Sequence, residues 1–243
     1  MTISSDAARH DAAVALATAL AFVAGYVDVV GFVLLFGLFT AHATGNLVML
    51  GAALIEDQDG VATKLLALPV FIATVGIVHL GLRGRAARGA PLASTVLSLQ
   101  AALLAAFWIQ GALHSPQNGA AAPMTIALSM TGVAAMAVQN AAARLVFKDI
   151  APTTVMTGNV TQAAIDLVDL LVPPARPDPG LASRILRTWP PIIAFGLGAI
   201  GGAAAVLLGF GFWSLVLPTL VVAFLALVCR ISKPFALGAP HEG

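Results

Sequence analysis

Eight apolar stretches run along the chain, at about 12–38, 40–55, 65–82, 91–113, 123–147, 152–172, 189–209 and 212–229, with short polar intervals between them. A helix needs about 20 residues, at 1.5 Å each, to cross roughly 30 Å of hydrocarbon. Seven of the stretches come close to that length or exceed it. The stretch at 40–55 falls short if its helix begins only after Gly45, because Asn46 to Ile55 would rise roughly 15 Å, about half the membrane. It opens on T-A-H-A-T-G-N at 40–46, and T-T-V-M-T-G-N recurs at 153–159. Polar triplets with Gly and Asn suit the ends of membrane helices better than their middles. The pattern therefore predicts an all-α membrane protein with six full spans and two short half-membrane helices, one at each TGN.

Charge placement tests that arrangement. If all eight stretches crossed the membrane, the twelve Lys and Arg residues would divide seven to five, with no useful bias. If each TGN segment enters and leaves on one side, eleven of the twelve lie inside and only Lys64 lies outside. The excess of positive charge in cytoplasmic loops favours the second arrangement and places both termini in the cytoplasm. Glu56, Asp57 and Asp59 fall in the same outer loop as Lys64. The result is one membrane domain, residues 1–243, built from a first repeat over about 12–113 and a second over about 123–230. The two repeats enter the membrane from opposite faces, a construction familiar in transporters. Thr40 aligns with Thr153 and Thr44-Gly45-Asn46 with Thr157-Gly158-Asn159, and a one-residue gap pairs Asp28 with Asn140.

Composition agrees. The chain is 59% hydrophobic and 9% charged, with a mean hydropathy of +0.96, against about a quarter charged in soluble domains. A net charge of +1 supplies no basic face for nucleic acid. One cysteine, Cys229, makes neither a disulfide framework nor a zinc site. The first apolar run is longer than a signal-peptide core and lacks a clear cleavage signal, so it is expected to be a retained span.

The stretches GYVDVVGF and LFTAHATGNLVMLGAAL, with VQNAAARL and TTVMTGNVTQ, resemble the YoaK family of bacterial inner-membrane proteins, catalogued as a domain of unknown function. The resemblance covers roughly residues 15–230 and implies a bacterial cytoplasmic-membrane protein of this size. It supplies no substrate or reaction.

The residues themselves suggest chemistry. Asn46 and Asn159 are placed to cap the helices that follow, and Gly45 and Gly158 to allow the turn before each cap. Two short helices entering from opposite faces would bring their N-termini toward each other near the midplane. Each N-terminus carries about half a positive charge and free N–H donors, which suits an anion or a carbonyl-rich solute. Thr44, Gly45, Asn46, Thr157, Gly158 and Asn159 are thus candidate substrate-binding residues, with His42, Gln139 and Asn140 as further polar candidates. For His42, packing against backbone is as good an account. For Gln139 and Asn140, interhelical hydrogen bonding is the better one.

Asp28 lies deep in the first span, where an ionisable group usually faces a cavity or a partner, and is the candidate proton or ion coupling residue. Asp166 and Asp169 share a helix face and are expected on a solvated or ion-paired surface near Arg176, Arg184 and Arg187. Gly198-x-x-x-Gly202 suits close helix packing, within the chain or in a homo-oligomer. No His-Glu-x-x-His, Gly-x-Ser-x-Gly or phosphate loop is present, so no catalytic centre, metal or cofactor is expected. The expected partners are the lipid bilayer and an unidentified small solute. The function predicted is a secondary transporter or permease for a small, anionic solute. Its alternatives are a channel, an intramembrane enzyme or a scaffold.

Overall fold

The computed structural model describes residues 3–56, 60–114, 116, 119–148, 150–172 and 178–231. These residues are helical throughout their regular elements: α1 Ile3–Leu34, α2 Ala43–Glu56, α3 Val61–Ala86, α4 Leu92–Leu113, α5 Pro123–Leu145, α6 Met156–Leu171, α7 Leu181–Leu207 and α8 Val216–Ile231, the last preceded by a 3-10 turn at Gly211–Leu215. Six of the helices, counting the 3-10 turn with α8, are long and apolar enough to cross a membrane. The protein is a multi-span helical membrane protein. With 14 and 16 residues, α2 and α6 rise about 21 and 24 Å, short of the hydrocarbon thickness. Asp57, Asp59, Arg176 and Lys233, used in the charge placement, lie outside the described residues.

Three spans begin earlier than their apolar runs, among them α3 at Val61 rather than near residue 65. α7 takes in Arg184, Arg187 and Thr188 ahead of its apolar run at 189–209, and α1 starts at Ile3 rather than near residue 12. Helical hydrogen bonding continues through polar turns wherever backbone groups still need partners. Proline does not end α3 at Pro69 or α7 at Pro190 and Pro191. Membrane helices tolerate such breaks because neighbouring elements re-satisfy the freed backbone groups.

The core is organised by close backbone approach. α1 packs most extensively on α7, and α5 packs on α3 and α4. A Cβ built on Gly198 would strike the carbonyl of Phe22, and one built on Gly25 the carbonyl of Phe195. Gly202 sits against Tyr26 in the same way. The Gly198-x-x-x-Gly202 face is therefore spent on contact within the chain. With lipid as apolar as Leu, such small-residue contacts and buried hydrogen bonds hold helices together where the hydrophobic effect does not. The central α5 supplies the latter. Gln139 Nε2 donates to Leu20 O at 2.8 Å and Thr153 Oγ1 at 3.0 Å, while its Oε1 accepts from Gln100 Nε2 at 2.7 Å. Gln139 thus ties α1, α4 and the approach to α6 to one point.

Candidate functional site

Each short helix is entered through a loop that is clasped in two places. In the first, α1 ends in a turn where Phe36 and Gly37 take left-handed φ values of 55° and 76°, the usual way to stop a helix. The chain then doubles back over Asp28. Ala41 N–H donates to Asp28 Oδ1 at 2.8 Å, Thr40 Oγ1 to the same oxygen at 3.3 Å, and His42 Nδ1 meets Oδ2 at 2.6 Å. Asp28 is 4% exposed, while the His42 side chain is 34% exposed. The His42 ring lies edge-on to Phe39 and to Phe195 of α7. A buried carboxylate is tolerable only with such partners. Asp28 and His42 therefore form a unit: one member is buried and fixed, the other reaches an accessible space.

Asn46 makes the second clasp. Its Nδ2 donates to Phe39 O at 2.7 Å and its Oδ1 accepts from Phe39 N–H at 2.9 Å. The side chain thus closes on the backbone of a residue seven positions earlier. This corrects the capping expectation. α2 begins at Ala43, so Thr44, Gly45 and Asn46 lie within its first turn rather than before it. No side chain caps α6 either, and Thr157, Gly158 and Asn159 occupy its first turn.

The second entry follows the same plan with different groups. Thr154 Oγ1 donates to Asn140 Oδ1 at 2.6 Å, and Asn140 Nδ2 to Met136 O at 3.0 Å. Asn159 Nδ2 donates to Pro152 O at 2.7 Å, again seven positions earlier. Pro152 has no N–H to return the bond, so Asn159 Oδ1 meets no donor among the described residues. The amide orientation is forced, since Pro152 offers only an acceptor there.

Asn159 lines a cavity of about 390 Å³ with Gln162, Lys148, Arg184, Arg187 and Thr188. Arg184 Nε donates to Asp166 Oδ1 at 2.7 Å and Nη1 to Asp178 Oδ2 at 2.6 Å. Asp178 lies in the exposed approach to α7, and the Arg184 guanidinium, then the Gly180 N–H, hold its carboxyl below the usual carboxylate range. Asp166 is ion-paired as expected but is not solvated: it is fully buried, and its Oδ2 has no partner among the described residues. At the matching place in the first turn of α3, Lys64 is 1% exposed and its Nζ donates to Phe36 O at 2.9 Å, at the negative end of α1.

The candidate residues thus divide into two groups. Asp28, Thr40 and His42 gather at the first entry, and Gln139, Asn140, Thr153 and Thr154 at the second. α2 packs chiefly on α3 and α6 on α7, and among the described residues no hydrogen bond or ring contact joins one TGN to the other. Thr44, Thr157 and Gly158 are exposed.

Lys64, Asp166 and the basic cavity were missed as site residues. One signal for them was in the chain: Gly-Val-Ala-Thr-Lys at 60–64 matches Gly-Leu-Ala-Ser-Arg at 180–184. Each opens the long helix after a short one, with Lys64 and Arg184 at the same place.

A family model described as a protein of unknown function (DUF1275) matches residues 16–228. No curated protein and no solved structure matches the chain.

Proposed function

The chain belongs to the DUF1275 family, and we propose that it is a secondary transporter or permease for a small, anionic solute, working through the polar groups gathered at its two short helices. The observation that carries this reading is the matched pair of clasps. Asn46 and Asn159 each hold a backbone carbonyl seven residues back, at the start of a helix too short to span. Discontinuous helices with polar groups at depth are how transporters build a solute site inside the bilayer.

Several contacts support an inverted repeat. The order long, short, long, long occurs twice, and α1 on α7 corresponds to α5 on α3, as α2 on α3 does to α6 on α7. The bond from Lys64 to Phe36 O brings the start of α3 to the end of α1. The cavity shared by Lys148, Arg184 and Arg187 brings the end of α5 to the start of α7. Each short helix would then leave and return on one side, and the three spans between them put those sides on opposite faces. The positive-inside rule supports termini in the cytoplasm, and the YoaK resemblance supports a bacterial inner membrane as the location.

Within this reading, Asp28 and His42 form the coupling site, where a proton shared at 2.6 Å can be exchanged through the accessible imidazole. Thr44, Gly45, Thr157 and Gly158 present hydroxyls and free helix N–H groups to solute, with Asn159, Gln139 and Asn140 on the second side and Asn46 on the first. The test is uptake of small anions into proteoliposomes under an imposed pH gradient. Saturable, gradient-driven uptake is expected, and Asp28→Asn should abolish its dependence on the gradient. Non-saturating flux would make the protein a channel, and no flux across the panel would favour a non-transporting role. Cysteines introduced at 57–60 and 176–180, in a chain lacking Cys229, should label from opposite faces. Labelling of both from outside overturns the inverted repeat.

A further inference from the structure

We propose that the cavity between α6 and α7 is a binding site for a small oxyanion that also carries an O–H or N–H, such as monohydrogen phosphate. This goes beyond the transport reading and stands on the cavity alone, since binding is read at equilibrium whether or not solute crosses.

The cavity has two kinds of wall. Lys148, Arg184 and Arg187 supply positive charge, and among the described residues no carboxylate lines the space. Among the described residues, Asp166 and Asp178 take the Nε and one Nη1 proton of Arg184. A guanidinium has five N–H groups, so three remain for a ligand. Planar, multiple donation of this kind is what carboxylate and phosphate oxygens accept.

The other wall is unusual for an anion site because it accepts hydrogen bonds. Asn159 gives its Nδ2 to Pro152 O, and Gln162 gives its Nε2 to Asp166 Oδ1. Both partners are acceptors, so each amide nitrogen is fixed on its partner and each amide oxygen meets no donor among the described residues. Thr188 likewise donates its hydroxyl to Arg184 O and retains its lone pairs. A bare anion would leave these oxygens unmatched, whereas a ligand with acidic oxygens and a donor satisfies both walls. That chemistry belongs equally to a free solute and to the headgroup of phosphatidylglycerol, which a basic site between helices near the membrane surface can hold.

The full-length, delipidated protein in detergent separates these cases. Inorganic phosphate and sulfate are titrated near neutral pH by calorimetry. They match in shape, but sulfate lacks the hydroxyl. Phosphate should bind about tenfold tighter, the worth of roughly one hydrogen bond. K148Q/R187Q should weaken both anions by at least about tenfold. Pro152→Ala supplies the N–H that Phe39 provides in the first clasp, so it should occupy Asn159 Oδ1 and narrow the phosphate preference while sparing sulfate. In a parallel arm, native mass spectrometry compares phosphatidylglycerol with phosphatidylmethanol, which lacks the headgroup hydroxyl. Selective retention of phosphatidylglycerol without phosphate binding identifies the occupant as lipid, and phosphate binding alone identifies it as a free solute. Equal affinity for phosphate and sulfate with no lipid preference overturns the proposal. Binding that survives K148Q/R187Q in variants with wild-type circular dichroism overturns it as well.

Discussion

The two clasps share a geometry and differ in charge. In the first, a carboxylate, Asp28, receives a backbone N–H, a threonine hydroxyl and an imidazole, and Asn46 is matched at both ends by Phe39. In the second, Asn140 holds one hydroxyl, and Asn159 is matched at one end only. One difference between paired positions, Phe39 against Pro152, decides whether an amide oxygen is consumed or left free. The first entry therefore holds its charge within itself, while the second keeps its hydrogen-bonding capacity open beside three cations. A repeated scaffold can acquire two roles through a few side chains when the backbone plan stays constant.

That contrast can be broken by paired substitutions followed by unfolding in mixed micelles. The largest expected effect is from Asp28→Ala, which strands His42 and the Ala41 N–H. It should cost about 3 kcal/mol or more, against about 1 kcal/mol for Asn140→Ala. Similar losses for both would show that the carboxylate is no more built into the fold than the amide. Next, Asn46→Ala removes two bonds and should cost about 2 kcal/mol, with Asn159→Ala costing about half that. A reversed order would mean that Asn159 Oδ1 is already engaged and that the second clasp is as closed as the first.

The smallest effect concerns the ion pair outside the spans. Asp178 has a lowered folded-state pKa, so its contribution is present above the ordinary carboxylate value, near 3.9, and disappears as pH falls through the lowered value. Asp178→Asn should be slightly less stable than the wild type at neutral pH, by a constant margin that closes only in acid. A gap that closes instead near neutrality would show that the Arg184 pairing does not hold the Asp178 carboxyl below its ordinary range.

Much of this plan was legible in the chain. Apolar length and the TGN triplets together separated the six long helices from the two short ones, because hydrocarbon thickness acts on whole segments and polar triplets mark helix ends. The TGN pair and Asp28 were also visible, since polar residues stand out against apolar sequence. What those residues do was not. An Asn near a helix start reads as a cap, and only the fold shows it reaching seven residues back to a backbone it does not cap. Asp166 reads as surface because its partner Arg184 lies across a loop in sequence. The freed oxygen of Asn159 depends on an N–H that Pro152 lacks, a property of the partner rather than of the motif. Lys64 and Arg184 could have been found, because their five-residue surroundings repeat, but a short match with few identities carries little weight until both copies open equivalent helices.

The glycine contacts between α1 and α7 bear on how the molecule is made. α1 leaves the ribosome before α7, yet the surface it fits best, around Phe195, Gly198 and Gly202, is synthesised only after five other helices. Until then its own glycine, Gly25, must wait among lipids and early neighbours. Assembly is therefore closed by a late arrival, and the two halves should recognise each other when made as separate polypeptides in one cell.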